Sequence, residues 1–226
     1  MDTQKKETKY MPPGEPWNPI EGDLKNGSYL AFYYSDPYSK IPVRRISSET
    51  DSKSDPNIET GTFGLFSTCE VEMRKSALNK GMRYIFFCTK GRDYRVLTGY
   101  YELGWHTLSP PIKGYGTKGG VPKRDVVLAA SKVKFINPGF NLSELTGYLE
   151  GVNISKRFRT YRRLDARSTE KLLKLINETD DSTNIYIEEI ARLEKENLKK
   201  VGFTYPNWKQ KVGFSWYDAG RYLKLE

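Results

Sequence analysis

Arg83-Tyr84-Ile85-Phe86-Phe87-Cys88-Thr89 and Val96-Leu97-Thr98-Gly99-Tyr100-Tyr101-Glu102-Leu103 flank the polar turn Lys90-Gly91-Arg92-Asp93. Aromatic and β-branched side chains crowd both flanks and suit a pleated, half-buried surface, while the turn residues suit a tight reversal. The stretch predicts an antiparallel hairpin at the heart of a β-rich region. Towards the N-terminus, Tyr29-Leu30-Ala31-Phe32-Tyr33-Tyr34 reads as an aromatic strand. Asp36-Pro37 ends it, because proline has no ladder donor. Residues 47–60, rich in Ser, Asp, Glu, Lys and Pro, read as an exposed loop. Gly61 to Phe66 alternates small and large residues as a half-buried strand does, and Glu72 to Asn79 suits a short helix closed by Gly81. Towards the C-terminus, 108–123 is a Pro/Gly/Lys loop, and Asp125 to Ile136 supplies another strand or two.

After Gly151 the apolar spacing turns helical. Ser168 or Thr169 can cap a short helix that buries Leu172, Leu173 and Ile176, and Thr183 can cap a longer one carrying Ile187, Ile190 and Leu198 before Gly202. The tail from Phe203 to Leu225 holds enough aromatic surface to pack back on the body. Residues 1–27 are polar and rich in Pro and Gly, with Trp17 as an apolar anchor, and read as a flexible arm. The expected division is therefore an arm at 1–27, a β domain at 28–150 and a basic helical extension with an aromatic tail at 151–226.

The chain has 226 residues, with 37 Lys+Arg against 28 Asp+Glu and a formal charge of +9. Such an excess favours polyanionic partners, because cations placed at phosphates release condensed counterions; a basic surface can also serve solubility alone. Cys69 and Cys88 sit in strand-like segments and read as reduced core residues. The sequence has no secretory leader and no apolar run of the roughly 18 residues a membrane span needs, so a cytoplasmic, non-membrane protein is expected. Without a strand-to-helix glycine fingerprint or a phosphate-loop pattern, no cofactor is expected.

Ser155 to Arg163 interleaves five cations with Phe158 and Tyr161, a pattern that can pair with phosphates while rings or guanidinium planes stack on bases. The plainer reading is a solvated charged element whose two rings point inward. Arg157, Arg159, Arg162 and Arg163 are its candidate phosphate contacts. Lys132 and Lys134 share one strand face by alternation, and a further basic pair is formed by Arg92 within the hairpin turn and Arg95 just after it. Phe63, Trp105 and Tyr100 are candidates for a pocket holding an unstacked base, against the bland reading that such rings are core. Trp105, just after Gly104, is the ring most expected at a rim. His106 is the sole histidine, which excludes zinc sites needing several imidazoles and weakens any nucleophile-histidine scheme. Asp55, Glu70 and Glu72, with Arg74 or Lys75 beside them, keep a metal-dependent nuclease open as an alternative.

The strand-helix-strand order from Tyr29 to about Pro138 resembles the PUA-like group of small β-barrels, especially its EVE and YTH branches. The matching pieces are YLAFYY at 29–34, GTFGLF at 61–66 with the short helix after it, RYIFFCT at 83–89, TGYYELGW at 98–105 and DVVLAASKVKF at 125–135. Where those branches carry a tryptophan in the second strand, this chain has Phe63 and Phe66. The resemblance implies a mixed, partly closed β-barrel; with the C-terminal helical extension read from the apolar spacing, which has no counterpart in the minimal barrel, the expected fold class is α+β. It also implies a non-catalytic protein that takes a flipped or modified base of DNA or RNA in a cleft beside the barrel. A scaffolding subunit that binds a protein partner or its own copy through the C-terminal helices is the further alternative.

Overall fold

The structure, a computed structural model, describes residues 18–34, 65–68, 81–90, 95–108, 126–149 and 161–185. Its strands in chain order are β1 (Asn18–Pro19), β2 (Ser28–Tyr34), β3 (Leu65–Thr68), β4 (Tyr84–Lys90), β5 (Arg95–Leu108), β6 (Val126–Asn141) and β7 (Tyr161–Leu164), followed by helix α1 (Ala166–Asn177). Single 3-10 turns lie at Leu24–Asn26, Leu142–Glu144 and Thr146–Tyr148. The hairpin expected from 83–103 is present as β4 and β5, antiparallel, with β5 running on to Leu108. Residues 126–136 belong to one long strand, β6. The helix expected at 72–79 and the aromatic tail lie outside the described residues.

The fold class expected from the sequence is overturned. The strands form one open mixed sheet in the order β3-β6-β5-β4-β2-β7, with β1 joined to β5. β2 and β4 run parallel and the other pairs antiparallel. β3 and β7 stand at opposite ends and do not pair with each other among the described residues, so the sheet does not close into a barrel. The physical reason lies in residues 161–164: expected in a helical extension, they pair with β2 as a strand, and α1 then lies against one sheet face. Among the described residues α1 is the one helix longer than a turn. Residues 18–27, expected as part of the arm, dock on the sheet through β1 and the Ile20 N–H, which donates to Gly104 O at 2.8 Å.

Alternation along each strand sends side chains to two faces. On the helix face Leu30, Phe86, Cys88, Leu97, Tyr100 and Ile136 meet Leu172 and Ile176 of α1, Leu164 of β7, and Leu142, Leu145 and Leu149 from the turns after β6. On the other face the rings of Phe66, Phe87, Tyr101 and Phe135 interlock, Phe87 and Tyr101 edge-to-face with centroids 4.5 Å apart. Burial pushes the Cys88 thiol well above its ordinary range, so this free cysteine behaves as an apolar core group.

Asp165, not Ser168 or Thr169, is the N-cap of α1, its Oδ1 accepting the Ser168 N–H at 2.7 Å. The Thr169 hydroxyl donates to Asp165 O at 2.6 Å. It must therefore accept from the Ser28 hydroxyl 2.7 Å away, and the buried pair ties α1 to β2. Past α1, the Ser182 N–H donates to Phe135 O at 2.9 Å and Thr183 Oγ1 accepts the Phe135 N–H at 3.0 Å. Residues 183–185 form a helical turn, but Thr183 is not its cap: its Oγ1 is spent on the Phe135 N–H, and its own N–H donates to Asp181 Oδ1 at 2.8 Å; the rest of the second expected helix lies outside the described residues.

β5 is irregular at Gly99, where φ is +153° and a Cβ would run into the Lys134 carbonyl oxygen. Gly99→Ala is expected to lower stability by roughly 2 kcal/mol or more in urea unfolding, through backbone strain and overpacking together. Gly147→Ala, with no atom within 4 Å of its Cβ, is the matched control and is expected to leave the midpoint nearly unchanged. Hydrogen bonds from the Ser168 N–H and hydroxyl hold the Asp165 carboxyl below the usual carboxylate range. That stabilisation is present above the unfolded-state pKa and is lost as pH falls through the lowered folded value. Asp165→Ala is thus expected to cost about 1 kcal/mol at neutral pH. The gap from wild type should narrow in acid, as a pH series of denaturation curves would show.

Candidate functional site

Register aligns the helix-face side chains in rows across the sheet. One row runs Arg162, Leu30, Phe86, Tyr100, Lys134, and the next Leu164, Ser28, Tyr84, Glu102, Lys132. Arg162 and Lys134 stand at opposite ends of their row, roughly 19 Å apart at about 4.8 Å per strand step. The core cluster shared with α1 lies between them. The sheet therefore does not gather the basic residues of β6 and β7 into one patch. Arg163 is exposed and aligns with Tyr29 on the opposite face.

Lys134 Nζ donates to Asn177 O at 3.1 Å, at the C-terminal end of α1, where aligned peptide dipoles favour a cation. Lys132 is exposed and makes no hydrogen bond or ion pair among the described residues. Arg95 is half-buried opposite Lys90 at the turn end of the hairpin, far along β5 from Trp105. Arg92, Arg157, Arg159 and Phe63 lie outside the described residues, as do Asp55, Glu70 and Glu72. Among the described residues, no group of three or more His, Cys, Asp or Glu stands close enough to hold a metal ion.

Tyr100 is 1% exposed, inside the core between Tyr84 and Phe86, and its hydroxyl donates to Asn177 Oδ1 at 3.0 Å. Burial, and after it the Glu102 charge, push its phenol up to about 12. Tyr100 and Lys134 thus converge on one residue, the last of α1, and join the helix end to the sheet.

Trp105 lines a cavity. The strap from Pro19 through the turn at Leu24–Asn26 crosses the end of β5 and leaves a cleft of about 450 Å³. Its lining combines Pro19, Ile20, Gly104 and Trp105 with the polar Glu21, Asp23, Asn26 and Arg83. Gly22 and Gly81 set the strap's height: a Cβ on Gly22 would overlap the Gly81 carbonyl. Asn26 Nδ2 also donates to that carbonyl, at 3.5 Å.

Arg83 is held firmly. Its Nε donates to Glu102 Oε1 at 2.9 Å, Nη2 donates to the same oxygen, and Nη1 reaches Gly22 O at 3.4 Å. The pair is partly buried, with side-chain exposures of 32% and 18%. Burial raises the Tyr84 phenol and Glu102 raises it further, Arg83 opposing. Next to Trp105, burial lowers the His106 imidazole, and its Nδ1 has no hydrogen-bond partner among the described residues.

No protein-family model matches this chain, and no curated protein matches it either. The reading of the cleft therefore rests on its own chemistry.

Of the two described rings that the sequence suggests for a pocket, Trp105 lines this cavity and Tyr100 lies in the core. Glu21, Asp23, Asn26, Arg83 and Glu102 do not stand out in the sequence as site residues. Gly22-Asp23 and Asn26-Gly27 do carry a turn signature that could have flagged the strap. The Glu102 charge raises both neighbouring phenols. In Glu102→Gln the titrations of Tyr84 and Tyr100 are therefore expected to move down in pH, seen as a wild-type-minus-variant difference in phenolate absorbance. The variant is also expected to lose about 1–2 kcal/mol of stability, with a charge-assisted hydrogen bond weakened in a half-buried site.

Proposed function

We propose that this chain is a non-catalytic nucleic-acid-binding protein that seats a single base in the cleft beside Trp105. The observation that carries the reading is the meeting, in one cavity, of the Trp105 indole with both hydrogen-bond donors and acceptors. A flat heteroaromatic ring with a polar edge suits that combination. The net charge of +9 supplies long-range attraction to a polyanion. Lys132 and Arg163, exposed and without side-chain partners among the described residues, are the cations left free to meet phosphates, on opposite faces of the sheet. Trp105 is 6% exposed, so it forms a floor for a base and not a free stacking platform. No helix among the described residues is long and apolar enough to cross a membrane.

Fluorescence anisotropy with labelled single- and double-stranded DNA and RNA across a salt series tests the proposal. Binding that weakens steeply with salt is expected. Lys132→Ala and Arg163→Ala should each lower the salt slope by about one, the share of a single neutralised phosphate. No binding at low salt to any of the four nucleic acids would overturn the reading.

A further inference from the structure

The cleft carries an electrostatic signature opposite to that of the whole chain. Its one lining arginine, Arg83, is neutralised by Glu102 and also donates to Gly22 O. Glu21 lines the same cavity, exposed and without a hydrogen bond or ion pair among the described residues. Asp23 lines it too, its partner being the exposed Lys25 at 3.7 Å. Asn26 spends its Nδ2 on Gly81 O. Arg83 keeps two N–H groups and Asn26 one beyond these bonds, while the carboxylates of Glu21 and Asp23 and the Asn26 amide oxygen are acceptors, so acceptor oxygens outnumber the side-chain donors left to face a ligand. A phosphate entering here would meet the uncompensated charge of Glu21, while an N–H donor would meet a partner.

From this arrangement, and resting on the proposed function, we infer that the cleft selects bases carrying an exocyclic amino group over thymine and uracil, with guanine bound best. Cytosine and adenine each present an amino donor. Guanine presents N1–H and an amino N–H side by side, and the two can meet the two oxygens of one carboxylate in a bidentate fork. Thymine and uracil offer a single N–H between two carbonyl oxygens, which would face Glu21 and Asp23 with like polarity. The phosphates stay outside, towards the exposed cations.

The test holds backbone charge constant and changes one base. Labelled oligothymidylates of equal length carry one central deoxyguanosine, deoxyadenosine or deoxycytidine, or none. Their affinities are compared by anisotropy for the wild-type chain and for a double variant, Glu21→Gln with Asp23→Asn. Both residues are exposed, and asparagine caps a turn as well as aspartate does, so the variant is expected to fold. The expected result is a preference of about tenfold for the guanine strand over the plain one, the size of a good base contact. Adenine and cytosine should fall between, and the ratio should collapse towards one in the variant. The ratio cancels any general gain in affinity from removing negative charge. Equal binding of all four strands would overturn the inference and leave the proposed function standing. A preference that survives in the variant would remove it from these carboxylates, and no binding by any strand would overturn both.

Discussion

At Gly99 the backbone of β5 takes a conformation that L side chains rarely adopt, and the pairing with β4 slips by one residue between Phe87 and Cys88. On the turn side Lys90, Thr89 and Cys88 face Arg95, Val96 and Leu97; past the slip, Phe86 faces Tyr100 and Tyr84 faces Glu102. Without the slip, alternation would put Tyr100 on the face opposite Leu97, yet both lie in the cluster under α1. The Thr98 hydroxyl donates to Phe87 O at 3.2 Å across the irregularity. One extra residue thus decides which tyrosine supports the helix and which joins the aromatic face. It also puts Glu102 in line with Tyr84 and within reach of Arg83.

The cleft depends on the same slip at one remove. Arg83 reaches the strap through Gly22 O while Glu102 holds its guanidinium. β1 has two residues, too short a ladder to fix the strap alone, so the Arg83 contact and the close crossing of Gly22 over Gly81 share that task. A half-buried ion pair is a modest source of net stability once its desolvation is counted. Here its clearer effect is geometric: it holds one cavity wall while leaving that wall electrically neutral.

Much of the sheet is legible in the sequence because its signals are local. Aromatic and β-branched runs at 29–34, 83–89 and 96–103 form strands, and the spacing of Leu172 and Ile176 forms the buried side of α1. Whether the sheet closes is not legible from those signals, since closure depends on which strands pair across long separations. The parallel pairing of β2 with β4, and the antiparallel pairing of β2 with β7 from the far end of the described chain, leave no local trace. The four residues of β7 overlap the cation run, yet Leu164 is fully buried and Arg163 exposed, an alternation hidden by its brevity. Trp105 is flagged by its place after Gly104. Its neighbours in the cleft are not, because a bulge sets the hairpin register and the strap comes from a segment whose composition resembles a loose arm.

On the proposed reading, a basic chain whose cleft beside Trp105 lacks a free cation resolves two demands that would otherwise compete. A pocket lined with unpaired arginine would hold any phosphate, and long-range attraction and local selection would then reward the same group. Pairing Arg83 with Glu102 removes that reward inside the cleft while costing the chain little of its net charge. Selection can then fall to short-range hydrogen bonds, which act only once a base edge lies within about 3 Å of its acceptor. The attraction that brings a polyanion to the surface acts over roughly 8–10 Å and is indifferent to sequence. On the proposed reading the two ranges are assigned to separate parts of the molecule, exposed cations at the sheet margins and acceptors under the strap, and the Arg83–Glu102 pair keeps them apart.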